Sequence, residues 1–318
     1  MKQKALLGQL ADPDIRLLRV FKVVTECGGI SAAELELNIG RSTISRHIKD
    51  LEQRLGITLC RRGRSGFGLT AEGREVYAST LRLLGSLDDF RSDVNDIQRK
   101  LTGTLTIALF DKIATNPECH LSDALSEFHA QAPDAGIEIF VEPLNEIERG
   151  VIEGRFQCGV IPSHRPSASL SYLPLFNEQM YLYCSKAHPI LALPLIDRTA
   201  ILQAAYAGLG YHSPNMEVAH ATGLRRQATV YDQEAIVHLL LSGAYIGYLP
   251  DHYAQQFETA GLLQRIDHDD FNYRCQFEAI WRLSPKPSRL SALFIECLRN
   301  AHKKNPAFLG ESAGPRPL

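Results

Sequence analysis

The sequence predicts an α/β protein with a mainly helical N-terminal part, and three observations carry that prediction. Basic charge is concentrated in one short window, a long apolar heptad seam follows it, and beyond Gly103 apolar segments alternate between strand and helix periods. The chain has 318 residues, 45% apolar and 22% charged, which excludes a disordered or collagen-like polymer and leaves room for two or three domains. A net charge of -2 argues on average against a nucleic-acid coat. The distribution says otherwise. Between Arg41 and Arg64 seven basic residues stand against two acidic ones, a local net of +5, so the rest of the chain carries −7. Such a window reads as a nucleic-acid footprint, with an ordinary solvated helix face as the plain alternative.

The apolar pattern beneath these charges decides between the two. Asp12-Pro13 reads as an N-cap and first-turn proline for a helix with the stripe Leu17, Val20, Phe21 and Val24, stopped at Gly28-Gly29. Ser31 is expected to cap a short second helix carrying Ala33 and Leu37, which ends at Asn38-Ile39-Gly40. A third helix buries Ile44, Ile48, Leu51 and Leu55 and stops at Gly56. Its opposite face then holds Arg41, Ser42, Ser45, Arg46 and Lys49, all able to meet phosphates or base edges, while Arg54 near the helix end is expected in a local ion pair. Two short helices joined by a three-residue turn, the second polar and basic near its start, form a helix-turn-helix. Apolar residues then flank a Gly-rich basic tip and predict a hairpin wing, whose Arg61, Arg62 and Arg64 can reach the backbone or a neighbouring groove. Gly66-x-Gly68-x-x-Ala71 imitates a dinucleotide fingerprint but follows an arginine-rich turn instead of an apolar strand, which excludes nucleotide binding there.

Ile15 through Gly73, with Phe21, Gly28, Ala33, Leu37, Ser42, Ile44-Ser45-Arg46, Ile48, Leu51-Glu52, Leu55-Gly56 and Leu69-Thr70-x-x-Gly73, resembles the winged helix-turn-helix of LysR-type transcriptional regulators. The sequence departs from that family at Glu34, where a second alanine is usual, and at Gly40-Arg41, where serine and glutamine are usual. The resemblance covers nearly the whole chain. It implies a winged helix-turn-helix DNA-binding domain over 1–70, a dimerisation linker helix and hinge over 71–102, an effector-binding regulatory domain over 103–301 and a C-terminal tail over 302–318. The regulatory domain is expected to be a two-lobed, periplasmic-binding-protein-like pair, lobe I about 103–164 and 270–301 and lobe II about 165–269, crossed near 162–170 and 265–275.

In the linker, Val76, Thr80, Leu83, Leu87, Phe90, Val94, Ile97 and Leu101 alternate spacings of four and three, a heptad seam whose narrow stripe needs a partner; Thr70 is placed to cap its start and Gly103 to break it. The resemblance supplies an identical helix from a second subunit, hence a dimer that pairs two recognition helices, and a tetramer as a dimer of dimers. The partners implied are double-stranded promoter DNA, a small-molecule metabolite effector and the chain itself, with RNA polymerase as a further candidate.

Beyond Gly103, strands are expected at Leu105 to Leu109, Ile137 to Val141 and Cys158 to Ile161, with helices around Leu121 to Phe128 and Ile147 to Ile152, in a mainly parallel sheet. A second set follows the break at Pro162 to Pro166: strands at Met180 to Cys184, Tyr245 to Leu249 and Phe277 to Trp281, and helices at Ala235 to Leu241 and Leu290 to Leu298. In the implied fold a ligand sits between lobes at strand C-terminal ends and helix N-termini. By position the candidates are Asp111, Thr115, Asn116, Tyr211, His212, Tyr231 and Asp232. Thr115, Asn116 and Asp232 are equally suited to capping helices, and the tyrosines to the core. Family analogy favours Thr115 as the receiver of an effector carboxylate, while Asp111 beside it argues against a site for anions alone.

No Walker loop, Gly-x-Ser-x-Gly elbow, His-Glu-x-x-His or Cys-x-x-Cys is present, so an enzyme has no motif to carry it, and no cofactor or metal is expected. Cys119-His120 falls short of the roughly four convergent ligands a closed metal site needs. A solute-binding protein would share the two lobes but not the preceding helix-turn-helix. Seven scattered cysteines, no apolar run long enough to span a bilayer and no leader pattern lead to the expectation of a cytoplasmic protein with free thiols.

Overall fold

A computed structural model of the chain describes residues 10–63, 66–97 and 101–303. Arg64 therefore lies outside the described residues, as do the side chains of Arg62, Val94 and Ile97. The chain divides after Arg91 into two compact units, each with its own apolar core.

In the first unit helices α1 (Asp12–Glu26), α2 (Ile30–Leu37) and α3 (Arg41–Leu55) precede the hairpin β1 (Cys60–Gly63) and β2 (Gly66–Leu69) and, as far as Arg91, the long helix α4 (Ala71–Ile97). Leu17, Val20, Phe21 and Val24 of α1 pack with Ala33 of α2 and with Ile44, Ile48 and Leu51 of α3 as the expected stripes require. Two cap assignments change. Helix α1 is capped from within by Asp14, which accepts the Ala11 amide at 2.9 Å, so Asp12 and Pro13 are already helical. Helix α2 starts one residue before Ser31, from Gly29, whose φ of 148° only glycine adopts readily. Asp14 is also the partner of Arg54, 40 residues away in sequence, and that guanidinium holds its carboxyl below the usual carboxylate range.

The wing is tied to α3 by Glu52, whose Oε1 accepts the Leu59 and Cys60 amides at 2.8 and 3.2 Å. Thr70 caps α4 through the Gly73 amide at 2.8 Å. Gly73 passes so close to the Leu59 carbonyl that a Cβ there would lie 2.1 Å from the oxygen. On α4, Val76 and Leu83 rest partly against this unit's own core and Thr80 is buried, whereas Phe90 is 65% exposed.

The second unit is built on one nine-stranded sheet, in the order β4-β3-β5-β11-β6-β9-β7-β8, with β10 paired to β6. Its strands are β3 (Gly103–Leu109), β4 (Ala135–Val141), β5 (Cys158–Pro162), β6 (Leu170–Ser185), β7 (Tyr206–Leu209), β8 (Arg226–Val230), β9 (Ile246–Pro250), β10 (Leu263–Ile266) and β11 (Asn272–Arg282). Helices α5 (Leu121–Gln131), α6 (Leu144–Glu153), α7 (Arg198–Gln203), α8 (Pro214–Thr222), α9 (Gln233–Leu241), α10 (Asp251–Thr259) and α11 (Arg289–His302) complete it.

The expected mainly parallel sheet is instead mixed. Parallel trios, β4-β3-β5 and β9-β7-β8, stand at either end, and β6 and β11 run antiparallel through the middle. Both middle strands are longer than the predicted segments, because the polar run Asn177-Glu178-Gln179 interrupts the apolar pattern of β6 without breaking its pairing. These two strands serve both lobes: β11 pairs β5 through Phe277 to Ile280, and β6 pairs β9 through Met180 to Cys184. At the start of the β5-paired stretch the β6–β11 ladder slips at Phe277/Glu278, opposite Pro174, which has no amide to donate, and the Phe176 and Phe277 rings stack there at 4.9 Å.

Candidate functional site

Two surfaces gather the polar residues singled out by sequence, one in each unit. On α3, Arg41, Ser42, Arg46 and Lys49 are exposed, Ser45 is half-buried, and Arg61 is exposed on β1. The helix starts at Gly40, which has no side chain to cap it. Glu34 of α2 does this from across the turn: its Oε1 accepts the Arg41 amide at 2.8 Å, and its Oε2 lies 3.9 Å from the Arg41 Nε. The departures at positions 34, 40 and 41 are thus one arrangement, in which a carboxylate replaces the missing cap and holds the first-turn arginine.

In the second unit the loop after β3 meets the N-terminal ends of α9 and α10. Lys112 sits at φ 60°, an uncommon conformation for a residue with a side chain, and its Nζ donates to Glu234 Oε2 at 2.7 Å. Asp111 Oδ2 accepts the Gln233 amide at the start of α9, at 2.8 Å. Asp232 caps the same helix through the Ala235 amide at 2.7 Å, fulfilling the structural alternative for that residue. Burial raises the Asp111 carboxyl to about 6, with the Asp232 charge adding to the rise and the Gln233 amide opposing it. Together with Glu142, Pro143, Val141, Tyr231, Ala235 and His238 these residues line a cleft of about 510 Å³. Of them, Lys112, Glu142, Glu234 and His238 were not singled out by sequence. Glu234 and His238 stand four residues apart, a helical spacing that puts them on one face and offered the only signal.

Thr115 and Asn116 do not cap α5. The Thr115 Oγ1 lies 2.8 Å from His252 Nδ1 of α10, whose Nε2 lies 3.0 Å from Glu178 Oε1 on β6. Burial pushes the Glu178 carboxyl up, against the pull of His252. Asn116 is buried and bridges backbone, donating to the Asn177 carbonyl at 2.9 Å and accepting from the Glu118 amide at 2.8 Å, a structural role. Tyr211 and His212 diverge. Tyr211 is 8% exposed and its hydroxyl has no hydrogen-bond partner, while His212 is half-exposed, 3.3 Å from Glu217 and with its ring 6.2 Å from that of His164. The sequence candidates are therefore split: Asp111, Tyr231 and Asp232 share the cleft lining, and Thr115, Asn116 and His212 do not.

Among the described residues no group of three His, Cys, Asp or Glu side chains is placed to hold a metal ion, and no helix is long and apolar enough to cross a membrane.

Residues 15–74 match the family described as bacterial regulatory helix-turn-helix protein, lysR family, and residues 98–303 match the LysR substrate binding domain. The chain is 41% identical over 294 residues to the HTH-type transcriptional activator BauR of Pseudomonas aeruginosa, across 92% of this chain and 96% of that protein. The fold is similar to the crystal structure of CbnR, described as a LysR family transcriptional regulator, with a TM-score of 0.61, 20% identity and coverage of 91% of this chain and 99% of that one. It is also similar to full-length CbnR complexed with target DNA, with a TM-score of 0.60, 21% identity and coverage of 90% and 99%.

Proposed function

The chain belongs to the LysR family of transcriptional regulators, and from that premise we propose that it reads a promoter through the α3 face and changes its hold on DNA when a metabolite occupies the cleft between Asp111 and α9. It is a sequence-specific DNA-binding regulator and not an enzyme. The observation that carries the reading is the exposed row Arg41, Ser42, Arg46 and Lys49 beside Ser45, on a helix whose other face is fully spent on the core. Arg46 and Lys49, one turn into α3, are assigned to base edges, and Arg61, Arg62 and Arg64 of the wing to phosphates or the minor groove.

A ligand acts by binding one arrangement of the lobes better than another, and only that difference in affinity moves the DNA-bound equilibrium. The linkages that such a ligand would rearrange are Lys112 to Glu234, Asp111 to Gln233 and Thr115 to His252.

The active species in this proposal is a dimer of dimers acting in the cytoplasm, with RNA polymerase as the downstream partner. Two apolar surfaces support self-association: Leu87 and Phe90 on α4, joined in sequence by Val94 and Ile97, and the edge strand β4, where Ile137, Ile139, Phe140 and Val141 are all exposed. The name of BauR as an activator supports activation as the outcome. The experiment is a gel-shift titration of Arg46→Ala against its promoter. Loss of a bidentate base contact lowers specific affinity roughly 10- to 100-fold, the equivalent of about 1–3 kcal/mol, with the oligomer unchanged. Equal affinity would remove α3 from the reading.

A further inference from the structure

We propose that Glu34, on α2, is a specificity-determining residue of the DNA-reading face: it withholds Arg41 from phosphates and keeps that guanidinium for a guanine edge. This deepens the assignment of the α3 face to DNA and rests on it.

Placement is the first observation. Arg41 is the first residue of α3, and the first turn of a recognition helix is the part that reaches base edges. A helix start also attracts anions through its free amides and its dipole, which makes a DNA phosphate the usual occupant of such a place. In α3 the place is taken. Gly40 has no side chain to cap the helix and the first turn holds no acidic residue. Glu34 reaches over from α2 instead, its Oε1 accepting the Arg41 amide at 2.8 Å and its Oε2 lying 3.9 Å from the Arg41 Nε.

The contrast with the rest of the face is the second observation. Arg46 and Lys49 are exposed on the same helix, and among the described residues neither is paired with a carboxylate, whereas Arg41 is. A residue needed only to clamp phosphate loses by that pairing. A phosphate on the Arg41 guanidinium would bring a second anion up to Glu34, while O6 and N7 of guanine are neutral acceptors that add no charge there. The Arg41 side chain is 65% exposed and, among the described residues, its guanidinium meets no other acceptor. Its Nη groups are therefore open to two parallel hydrogen bonds on one base. Selectivity of this kind comes from penalising the wrong partner. Glu34 weakens the hold of Arg41 on any backbone and leaves its hold on guanine.

The test uses the full chain and a duplex site that it selects from randomised DNA, with every single base-pair change in that site measured by competition gel shift at several salt concentrations. One G·C pair is expected whose replacement costs the parent roughly 10- to 100-fold, and Arg41→Gln is expected to erase that preference. Glu34→Gln is the decisive variant, because its amide oxygen can still cap α3 while its side chain carries no charge. Its melting temperature should match the parent's. Preference at the G·C pair should fall by roughly threefold or more, affinity for DNA lacking the site should rise, and the slope of log K against log salt should steepen by about one unit, one phosphate gained. In the Arg41→Gln background the same change should alter neither preference nor slope. Preference is a ratio within one sample, so a smaller folded fraction leaves it unmoved. Parental preference and slope in Glu34→Gln would overturn the proposal and leave Glu34 a cap alone. An Arg41→Gln protein that still selects the same base pair would overturn it too, as would an effect of Glu34→Gln that persists without Arg41. If Arg46→Ala as well as Arg41→Gln leaves every base preference unchanged, the assignment of α3 to DNA fails; unchanged preferences confined to Arg41→Gln and Glu34→Gln refute only the role of this pair.

Discussion

Replacing Asp111 by asparagine is expected to stabilise the ligand-free protein at neutral pH, and to do so by an amount that depends on pH. The carboxyl is raised from an ordinary value of 3.8 to about 6, chiefly by burial. A shift of roughly two units corresponds to about 3 kcal/mol between the two protonation states. The sign follows from proton counts. The native state holds this proton more tightly than the unfolded chain, so its contribution to stability is complete below about 3.8 and is lost as pH rises through about 6. Asparagine cannot ionise, and its side-chain oxygen can still accept the Gln233 amide that Asp111 Oδ2 accepts now at 2.8 Å. The variant and the parent should therefore match near pH 4 and diverge to about 3 kcal/mol by pH 7.5. For a unit of this size that gap is roughly 6–12 °C in the melting temperature of the second unit's transition. Scanning calorimetry of both proteins from pH 4 to 8 measures it, and because all other titrating groups are common, the difference isolates Asp111. Parallel melting profiles across the range would refute the account of a carboxylate held ionised against its surroundings.

Three further outcomes are expected. Gly73→Ala places a Cβ 2.1 Å from the Leu59 carbonyl oxygen, so the first turn of α4 must shift; thermal unfolding should register a loss of about 1–3 kcal/mol in the first unit, and an unchanged transition would mean that the close approach is absent in solution. Glu34→Ala removes the acceptor of the Arg41 amide and should cost about 0.5–2 kcal/mol of that unit's stability, while freeing Arg41 so that affinity for DNA of any sequence rises; a protein as stable as the parent would dismiss the capping role. Thr115→Val breaks the hydrogen bond to His252 and should blunt the effector-induced change in promoter affinity with basal DNA binding intact; an undiminished effector response would detach that link from signalling.

Much of the first unit was legible because burial there follows a single helical period. Leu17, Phe21, Ile44, Ile48 and Leu51 are the predicted inward residues, and the polar face of α3 follows by subtraction. What escaped was tertiary. Asp14 outcompetes Asp12 because it both closes the N-terminal turn and meets Arg54, a partner 40 residues later that no local pattern announces. Glu34 and Arg41 read separately as departures, and only the fold brings them together.

In the second unit the alternation of elements was readable, but strand direction was not, since β6 and β11 have the same apolar signature whichever way they run. The cleft was half legible: Asp111 and Asp232 follow from their places at a strand end and a helix start. Lys112 depends on a positive φ, and Glu142 on where the chain leaves β4, neither of which side-chain pattern encodes.

The two middle strands also order events on the ribosome. By Ile266 lobe II has every strand except the Asn272–Gln276 end of β11, whereas lobe I still lacks the rest of β11 and α11 at that moment. Phe110 and Phe176 wait for Phe277, and Phe128 waits for Phe294, each partner being synthesised more than 100 residues later. At roughly 5–20 residues per second that delay is on the order of 10 s. The half of the regulatory domain that begins first is thus finished last, and a message cut short before Asn272 leaves lobe I without Phe277 and Phe294 and lobe II without Tyr273, whose ring meets that of Tyr248 at 5.2 Å.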